Sequence, residues 1–292
     1  MNRNTFIKSF AMATAATPFI SLKDISNIFV QKGPKMPTLF IGHGSPMNVL
    51  AHNEFTKHLN NIGTSIETPK AILVISAHWL TRGSYVSVVE NPETIYDFGG
   101  FPKEMYEVKY PAPGSPEFAK MVIETVKSVT IQSDHQMGLD HGAWTVLKHI
   151  YPKADIPVFQ LSMDATQGPQ YHYNLGKELQ ELRSKGVLIL ASGNIVHNLR
   201  MINFQDTDPK PYDWALEFDT MAKDFILKRE HKSLISYPAL GKAALTTIPT
   251  NDHYLPMLYT LALQEKTEEV TFLHEGFEMG SISNRCFMVS AK

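Results

Sequence analysis

Cysteine is almost absent from this sequence of 292 residues, which contains Cys286 alone. A single cysteine excludes an internal disulfide framework and any zinc or redox site built on CxxC pairs. Charge is nearly balanced, with 27 Lys and Arg against 29 Asp and Glu. We therefore expect no nucleic-acid partner, because the excess of basic residues that phosphate binding needs is missing. No apolar run reaches the about 20 residues of a transmembrane helix, so we expect no stable membrane insertion.

Common catalytic motifs are missing as well. The sequence contains no HExxH, no GxGxxG before a helix, no GxxxxGK(S/T) and no GxSxG. These absences exclude the simplest signatures of zinc peptidases, dinucleotide enzymes, P-loop proteins and serine hydrolases. Ser45 lies in the string GHGSP (42–46) and is a candidate nucleophile. Because Pro46 follows it and no elbow pattern surrounds it, a turn or helix-capping role is favoured.

Histidine, by contrast, is abundant, with 12 residues. Since thiolate ligands are lacking, a metal bound by this chain must be held by imidazole and carboxylate groups. The positions of these histidines in the predicted fold therefore decide what they can do.

The first 35 residues differ from the rest of the sequence. Arg3 and Lys8 precede an apolar stretch, 10–22, whose length suits the core of a signal peptide. The string RNTFIK (3–8) resembles a twin-arginine signal that has lost one arginine. We interpret 1–35 as an N-terminal extension outside the fold and favour export to the periplasm over a cytoplasmic location. The alternative is a frayed extension of a cytosolic protein.

Short apolar runs and helical patterns alternate along the remaining residues, 36–292. Four nearly continuous apolar runs predict strands buried on both faces of a mostly parallel sheet: 37–41, 71–77, 156–162 and 186–193. Helical spacing is found at 116–129, 170–185 and 212–228. This alternation predicts an α/β fold with one domain, in which helices flank a central sheet. The stretch 98–114 is dense in Gly, Pro and aromatic residues and predicts a long ordered loop near a functional site.

Five histidines lie where this fold places functional groups. Ligand sites in open α/β sheets lie beyond the carboxyl ends of the strands. His43 and His78 follow the first two predicted strands, and His197 follows the fourth. His141 and His253 lie in polar motifs elsewhere in the sequence. Because histidine is the commonest metal ligand, we expect a metal site at the carboxyl ends of the strands.

The surroundings of these histidines support that expectation. Gly42 and Gly44 flank His43, which permits a close backbone approach. Asp140 and Asp252 directly precede His141 and His253. Each is a candidate to accept a hydrogen bond from the ring nitrogen of its histidine that faces away from the metal, which is called the far nitrogen below. The other histidines lie in helical or polar contexts, and we interpret them as surface or packing residues: His52, His58, His135, His149, His172, His231 and His274.

Seven motifs together resemble the 4,5-DOPA extradiol dioxygenase family of class III ring-cleaving enzymes. They are LFIGHGSPMN (39–48), ISAHW (75–79), YDFGGFP (96–102), YPAPGS (110–115), LDHGAW (139–144), SGNIVHN (192–198) and HYLP (253–256). They occur in the order of the family and span essentially the whole predicted domain. The resemblance implies one α/β domain that opens a catechol ring with O₂ at a non-haem metal.

The resemblance also implies roles for individual residues. His43, His78 and His253 match metal-binding positions. His197 matches a position that is either a further metal ligand or an acid–base group, and His141 matches a histidine that faces the substrate. The expected cofactor is Fe(II), although Zn(II) can occupy the same site because it ranks above Fe(II) in general affinity. The expected partners are a DOPA-like catechol and O₂, the expected product is a muconic semialdehyde, and the oligomeric state is left open.

Two other functions are compatible with the same residues. A zinc ion held by histidines can activate water, which makes a zinc-dependent hydrolase of a small amide or ester the main alternative. A metal-binding protein without catalysis is the second. Five aromatic side chains are candidates for the walls of a substrate pocket, with core packing as the alternative for each: Trp79, Phe98, Phe101, Trp144 and Tyr254.

Overall fold

A computed structural model describes residues 35–204 and 210–292. These residues belong to one compact unit, Pro34–Lys292. The predicted extension, 1–35, lies outside the described residues except for Lys35, so its signal-like character and the location it implies stay predictions. Within the described ranges, no helix is both long and apolar enough to cross a membrane.

A six-stranded sheet forms the centre of the fold. Its strands are β1 (Thr38–Gly42), β2 (Ala71–Ser76), β6 (Val158–Gln160), β8 (Val187–Gly193), β9 (Glu268–His274) and β12 (Cys286–Ala291). Their order across the sheet is β6-β2-β8-β1-β12-β9. The first four coincide with the four predicted runs and pair with one another in parallel. The α/β fold with a mostly parallel sheet is therefore confirmed.

The other edge of the sheet was not predicted. β12 runs antiparallel to β1, and β9 runs antiparallel to β12 with an irregular register between Cys286 and Phe287. Short strands form three further pairs: β3 (Leu80–Thr81) with β7 (Met163–Asp164), β4 (Ser84–Ser87) with β5 (Ile131–Asp134), and β10 (Phe277–Glu278) with β11 (Ile282–Ser283).

Successive residues of the parallel strands point to opposite faces of the sheet and enter two separate cores. In β2, Leu73 and Ile75 belong to one core, whereas Ile72 and Val74 belong to the other. All four side chains are fully buried. Burial on both faces explains why these strands are continuous apolar runs without alternation.

Helices cover both faces of the sheet. They are α1 (Glu54–Ser65), α2 (Pro116–Thr125), α3 (His141–Ile150), α4 (Pro169–Glu178), α5 (Gln180–Ser184), α6 (Asp213–Lys228), α7 (His231–Ile235), α8 (Lys242–Thr247) and α9 (Leu255–Ala262). The prediction at 212–228 corresponds to α6. The prediction at 116–129 is too long by four residues, because the backbone is already extended at Val126. The prediction at 170–185 covers two helices, α4 and α5.

The loop predicted at 98–114 contains one short 3-10 helix, Lys103–Tyr106. Hydrogen bonds from side chains to backbone carbonyls hold this loop and the residues just before it. The Tyr96 hydroxyl donates to the Val108 carbonyl at 2.7 Å, and the Tyr110 hydroxyl donates to the Tyr151 carbonyl at 3.0 Å. The Trp144 indole donates to the Ile95 carbonyl at 2.8 Å. These bonds hold an irregular segment, 95–110, in a defined position.

Candidate metal centre

The five histidines singled out from the sequence lie in one cluster. The His43 ring is 5.1 Å from that of His78, 5.7 Å from that of His141 and 5.3 Å from that of His253, measured between centroids. The His197 ring stacks on the His253 ring at 3.5 Å. The five side chains therefore lie close together, as their predicted positions at the carboxyl ends of the strands implied.

The ends of three adjacent parallel strands create this cluster. β1 ends at Gly42 and β8 at Gly193, and these two residues pair with each other, so His43 begins directly beyond the sheet. His78 follows β2 by two residues. His141 is the first residue of α3.

Two glycines allow the backbones to meet at this edge. A Cβ atom on Gly193 would lie 2.2 Å from the His253 carbonyl oxygen, and one on Gly42 would lie 2.7 Å from the Arg285 carbonyl oxygen. The His43 amide donates to the Gly193 carbonyl, and the Asn194 amide donates to the His253 carbonyl. A side chain at Gly193 would displace the His253 backbone, and one at Gly42 would displace the backbone of residues 283–285 beside the end of β1.

His43, His78 and His253 each offer one ring nitrogen to a shared volume, with these atoms within 4.8 Å of one another. The Nε2 atoms of His43 and His78 are 3.3 Å apart. Two nitrogens at that separation can bind one ion through bonds of about 2.0–2.1 Å. The three side chains therefore fit a transition-metal ion.

Ser192 fixes the tautomer of His43. Its hydroxyl donates to the Gly142 carbonyl at 2.6 Å, so it accepts from the Nδ1–H of His43 at 2.9 Å. The proton of the ring is then on Nδ1, and the Nε2 lone pair is free for a metal.

Asp252 has the same effect on His253. The Oδ2 atom of its carboxylate accepts a short hydrogen bond from His253 Nδ1. Burial alone would raise the pKa of Asp252, but the bond to His253 and its charge hold that pKa well below its ordinary value. The prediction that Asp252 holds the far nitrogen of His253 is confirmed.

The corresponding prediction for Asp140 is wrong. Asp140 caps α3 by accepting from the Ala143 amide, and it accepts from the Ser76 hydroxyl at 2.6 Å. Burial, partly offset by the Ser76 bond, raises its pKa to about 6. The carboxylate beside the His141 ring is instead Asp97, whose Oδ2 lies 2.9 Å from His141 Nδ1.

Like Ser192, Asp97 is a site residue that was not predicted from the sequence. Its Oδ1 accepts from the backbone amide of His141 at 2.9 Å, and its Oδ2 also lies 3.6 Å from His78 Nδ1. Burial raises its pKa, but the contacts with His141 outweigh burial and lower that pKa overall. The signal that could have found it is its position in YDFGGFP, where it is the only acidic residue of the motif.

Burial and the neighbouring rings favour the neutral form of three imidazoles of the cluster, those of His43, His78 and His197. Burial, reinforced by the positive charge that the neighbouring rings would carry, holds the pKa values of His43 and His78 well below the ordinary value. Burial and His253 lower the pKa of His197 to about 3. Neutral imidazoles with free lone pairs bind a cation without first losing a proton.

His197 occupies a different place from the three converging histidines. Its ring is parallel to the His253 ring, with 8° between the planes. Its nitrogen groups with Asp252 and His253 and not with His43 and His78. This arrangement leaves both roles implied by the resemblance chemically available.

The candidate pocket aromatics divide between the site and the core. Phe98 lies edge-on to His141, 5.6 Å away, and Phe101 packs against Phe98. Trp144 is fully buried and lies behind Phe98 at 6.2 Å. Tyr254 instead packs against Tyr237 in the core and donates to the Leu234 carbonyl. Trp79 is buried, with 7% of its surface exposed.

The remaining predictions concern residues outside the cluster. Ser45 caps the 3-10 helix Pro46–Leu50 by accepting from the Met47 amide, which confirms the capping interpretation. The seven other histidines have no described contact with the cluster. Two of them, His58 and His274, contact each other through Nδ1 atoms 2.8 Å apart.

Comparisons with known proteins agree with this geometry. Residues 31–285 match the family described as the catalytic LigB subunit of aromatic ring-opening dioxygenase. The chain is 42% identical over 271 residues to the 4,5-DOPA dioxygenase extradiol of Escherichia coli (strain K12), covering 91% of this chain and 97% of that protein. It is 33% identical over 256 residues to the protein of the same name from Mirabilis jalapa, covering 84% and 93%.

A solved structure shows the same fold. The crystal structure of an uncharacterized protein from Escherichia coli K12 matches with a TM-score of 0.77 at 39% identity, covering 87% of this chain and 99% of that chain. These comparisons confirm the resemblance seen in the motifs and do not favour the zinc-hydrolase alternative. The chain therefore belongs to the LigB family of aromatic ring-opening dioxygenases and is a metal-dependent extradiol dioxygenase.

Proposed function

We propose that this protein opens the ring of a DOPA-like catechol outside its two hydroxyl groups and forms a muconic semialdehyde. The observation that carries this proposal is the convergence of ring nitrogens from His43, His78 and His253 on one volume. The names of the relatives from Escherichia coli and Mirabilis jalapa support a DOPA-like substrate. The reaction needs no external reductant, because both atoms of O₂ enter the product.

We assign Fe(II) to His43, His78 and His253. When bound there, Fe(II) would supply open coordination positions for a catecholate and O₂ and an electronic link between them. Zn(II) fits the same nitrogens but has no redox chemistry, so we expect zinc-loaded protein to consume no oxygen.

His141 and His197 are assigned to proton transfer. The Oδ2 atom of Asp97 beside His141 Nδ1 favours a proton on that nitrogen, which leaves the His141 Nε2 lone pair to accept a proton from a catechol hydroxyl. His197 is stacked on the ring of His253, whereas His141 lies beside His43 and His78. The two imidazoles therefore lie beside different metal-binding histidines, and each can take or return a proton there.

Phe98 is assigned to positioning the aromatic ring of the substrate. Its edge-on contact with His141 places an apolar surface beside the proton-transfer group. An aromatic side chain there can stack against a catechol and exclude water from the reacting carbons. Its position on the 98–114 loop agrees with the predicted role of that loop.

Oxygen uptake with defined metals tests the proposal. Apo protein is reconstituted anaerobically with one equivalent of Fe(II) and mixed with L-DOPA, dopamine or catechol in an oxygen electrode. We expect one O₂ consumed per catechol, a yellow product, and incorporation of both atoms from ¹⁸O₂. The matched control is protein loaded with Zn(II), which should show none of these. Stoichiometric iron binding without oxygen uptake for any catechol, together with ester or amide hydrolysis by the zinc form, would contradict the proposal.

A further inference from the structure

Asp97 contacts two histidines that have different roles in the proposed function. One of its carboxylate oxygens, Oδ2, lies 2.9 Å from His141 Nδ1 and 3.6 Å from His78 Nδ1. A single oxygen thus faces the far nitrogen of a metal-binding side chain and that of a proton-transfer side chain. The two rings are themselves close, with centroids 3.8 Å apart.

The backbone holds this carboxylate in place. Its second oxygen, Oδ1, accepts from the amide of His141, which is the first residue of α3. Amide groups at the first turn of a helix are free to bind an anion, and the helix dipole favours negative charge there. Asp97 is therefore fixed relative to the same helix that carries His141.

The segment on either side of Asp97 is fixed to α3 as well. The Ile95 carbonyl accepts from the Trp144 indole at 2.8 Å, and the Ile95 amide donates to the Leu139 carbonyl at 2.8 Å. On the other side of Asp97, Phe98 packs against His141. Asp97 thus connects the aromatic loop to the histidine cluster.

We propose that Asp97 is a positioning residue whose negative charge, 2.9 Å from His141 Nδ1 and 3.6 Å from His78 Nδ1, favours the Nδ1-protonated form of both rings, so that their Nε2 lone pairs face the metal and the substrate. The inference rests on the proposed function for the role of His141. Carboxylates that accept from the far nitrogen of a ligand histidine fix the ring and its tautomer, and their loss costs about 10–100-fold in metal affinity or activity. Asp97 acts through these rings and needs no contact with the substrate.

Asp97→Asn is the decisive variant, because asparagine keeps the shape and the oxygen that accepts from the His141 amide but removes the charge. We expect the Kd for Zn(II), measured on apo protein by competition with a chelator, to rise about ten-fold. We expect kcat of the iron form to fall by a similar factor with little change in KM. Glu93→Gln is the matched control, since Glu93 is an exposed carboxylate on the same segment, and it should leave all three values unchanged.

His141→Gln separates positioning from direct metal binding. His78, Asp97 and His141 also form a group that could hold an ion, in which case His141→Gln would weaken Zn(II) binding as strongly as Asp97→Asn. The proposal instead predicts that His141→Gln leaves the Zn(II) Kd within two-fold of the parent. Equal losses in the two variants would overturn it.

Nitrogen-15 NMR of labelled histidines gives a readout that does not depend on activity. In apo protein, the signals lost in His141→Gln identify His141, and we expect them to report a proton on Nδ1. In Asp97→Asn the same signals should move to a mixture of tautomers. Unchanged tautomer signals together with an unchanged Zn(II) Kd would overturn the proposal. If the parent binds metal but opens no catechol, the proposed function fails, while the Kd and tautomer readouts still decide the role of Asp97.

Discussion

Among the described residues, two pairs of histidines have ring nitrogens within 3.3 Å of each other, and only one of these two pairs fits a metal. The inner pair, His43 and His78, has Nε2 atoms 3.3 Å apart. The outer pair, His58 and His274, joins α1 to the end of β9 with Nδ1 atoms 2.8 Å apart. The outer distance is that of a hydrogen bond, in which one ring donates its proton to the lone pair of the other.

The partners of the far nitrogens make the difference. In the inner pair, Ser192 accepts from His43 Nδ1, and the Asp97 carboxylate lies 3.6 Å from His78 Nδ1, so both rings favour a proton on Nδ1 and a lone pair on Nε2. His253 adds a third nitrogen, and its Nδ1 donates a hydrogen bond to Asp252. The outer pair has no third nitrogen in its described surroundings. A short distance between two imidazoles is therefore a weak indication of a metal site. A hydrogen-bond acceptor at the far nitrogen of each ring is a stronger one.

Removing a ring from each pair should give the largest contrast. His43→Gln is expected to reduce metal affinity by more than about 100-fold and to abolish oxygen uptake, because a ligand is lost and not merely reoriented. His58→Gln should leave both unchanged. The measurements are metal content after dialysis and oxygen uptake with a catechol. Full metal content in His43→Gln would remove the distinction between the pairs.

A somewhat smaller effect is expected at His197, which is stacked on a member of the inner cluster. As a proton-transfer group, its loss in His197→Gln should lower kcat by about 10²–10⁴-fold while metal content stays that of the parent. His253→Gln is the reference, because it should lose the metal. If His197→Gln loses as much metal as His253→Gln, His197 is a fourth ligand and its assignment here is wrong.

The parts of the fold that were predictable are those in which local pattern and environment agree. β2 and β8 are buried along their whole length, so their sequences are unbroken apolar runs. Their carboxyl ends must share one edge of a parallel sheet, which is why the sequence alone places His78 and His197 together with His43. In a parallel sheet, residues that follow different strands in the sequence can therefore be predicted to lie near one another.

Other elements gave no usable pattern. α9 has nearly every residue buried, so it lacks the alternation of apolar and polar residues that marks a helix. β9 lies at the edge of the sheet with Glu269 and Thr271 exposed, and its sequence is accordingly polar on one face. Asp97 is distant in sequence from both histidines that it contacts, whereas Asp140 is adjacent to His141 and turns toward Ser76. Contacts between distant segments depend on how loops fold back, which periodicity does not encode.

Removing the anchor of a ring instead of the ring itself should have an intermediate effect. Ser192→Ala leaves His43 in place but frees its Nδ1 proton, so we expect metal affinity to fall about ten-fold. Ser162→Ala is the matched control, because that buried hydroxyl bonds Thr81 and the Tyr85 amide instead of a histidine. Chelator competition measures both. An unchanged affinity in Ser192→Ala would show that the tautomer of His43 needs no anchor.

The smallest effect is expected at the outer pair and concerns stability. Burial and the neighbouring His58 lower the pKa of His274 to about 4, below the value of about 6.5 in the unfolded chain. Between these values the unfolded state binds more protons, so this contribution to stability is full above pH 6.5 and is lost as the pH falls toward 4.

His58→Gln removes one hydrogen bond, which should cost about 1 kcal/mol at pH 7.5. It also removes the repelling charge, so the difference in Tm from the parent should narrow by pH 5. His135→Gln, at an exposed histidine, should follow the parent at both pH values. A difference in Tm that is the same at pH 7.5 and pH 5 would mean that the outer pair does not share a proton.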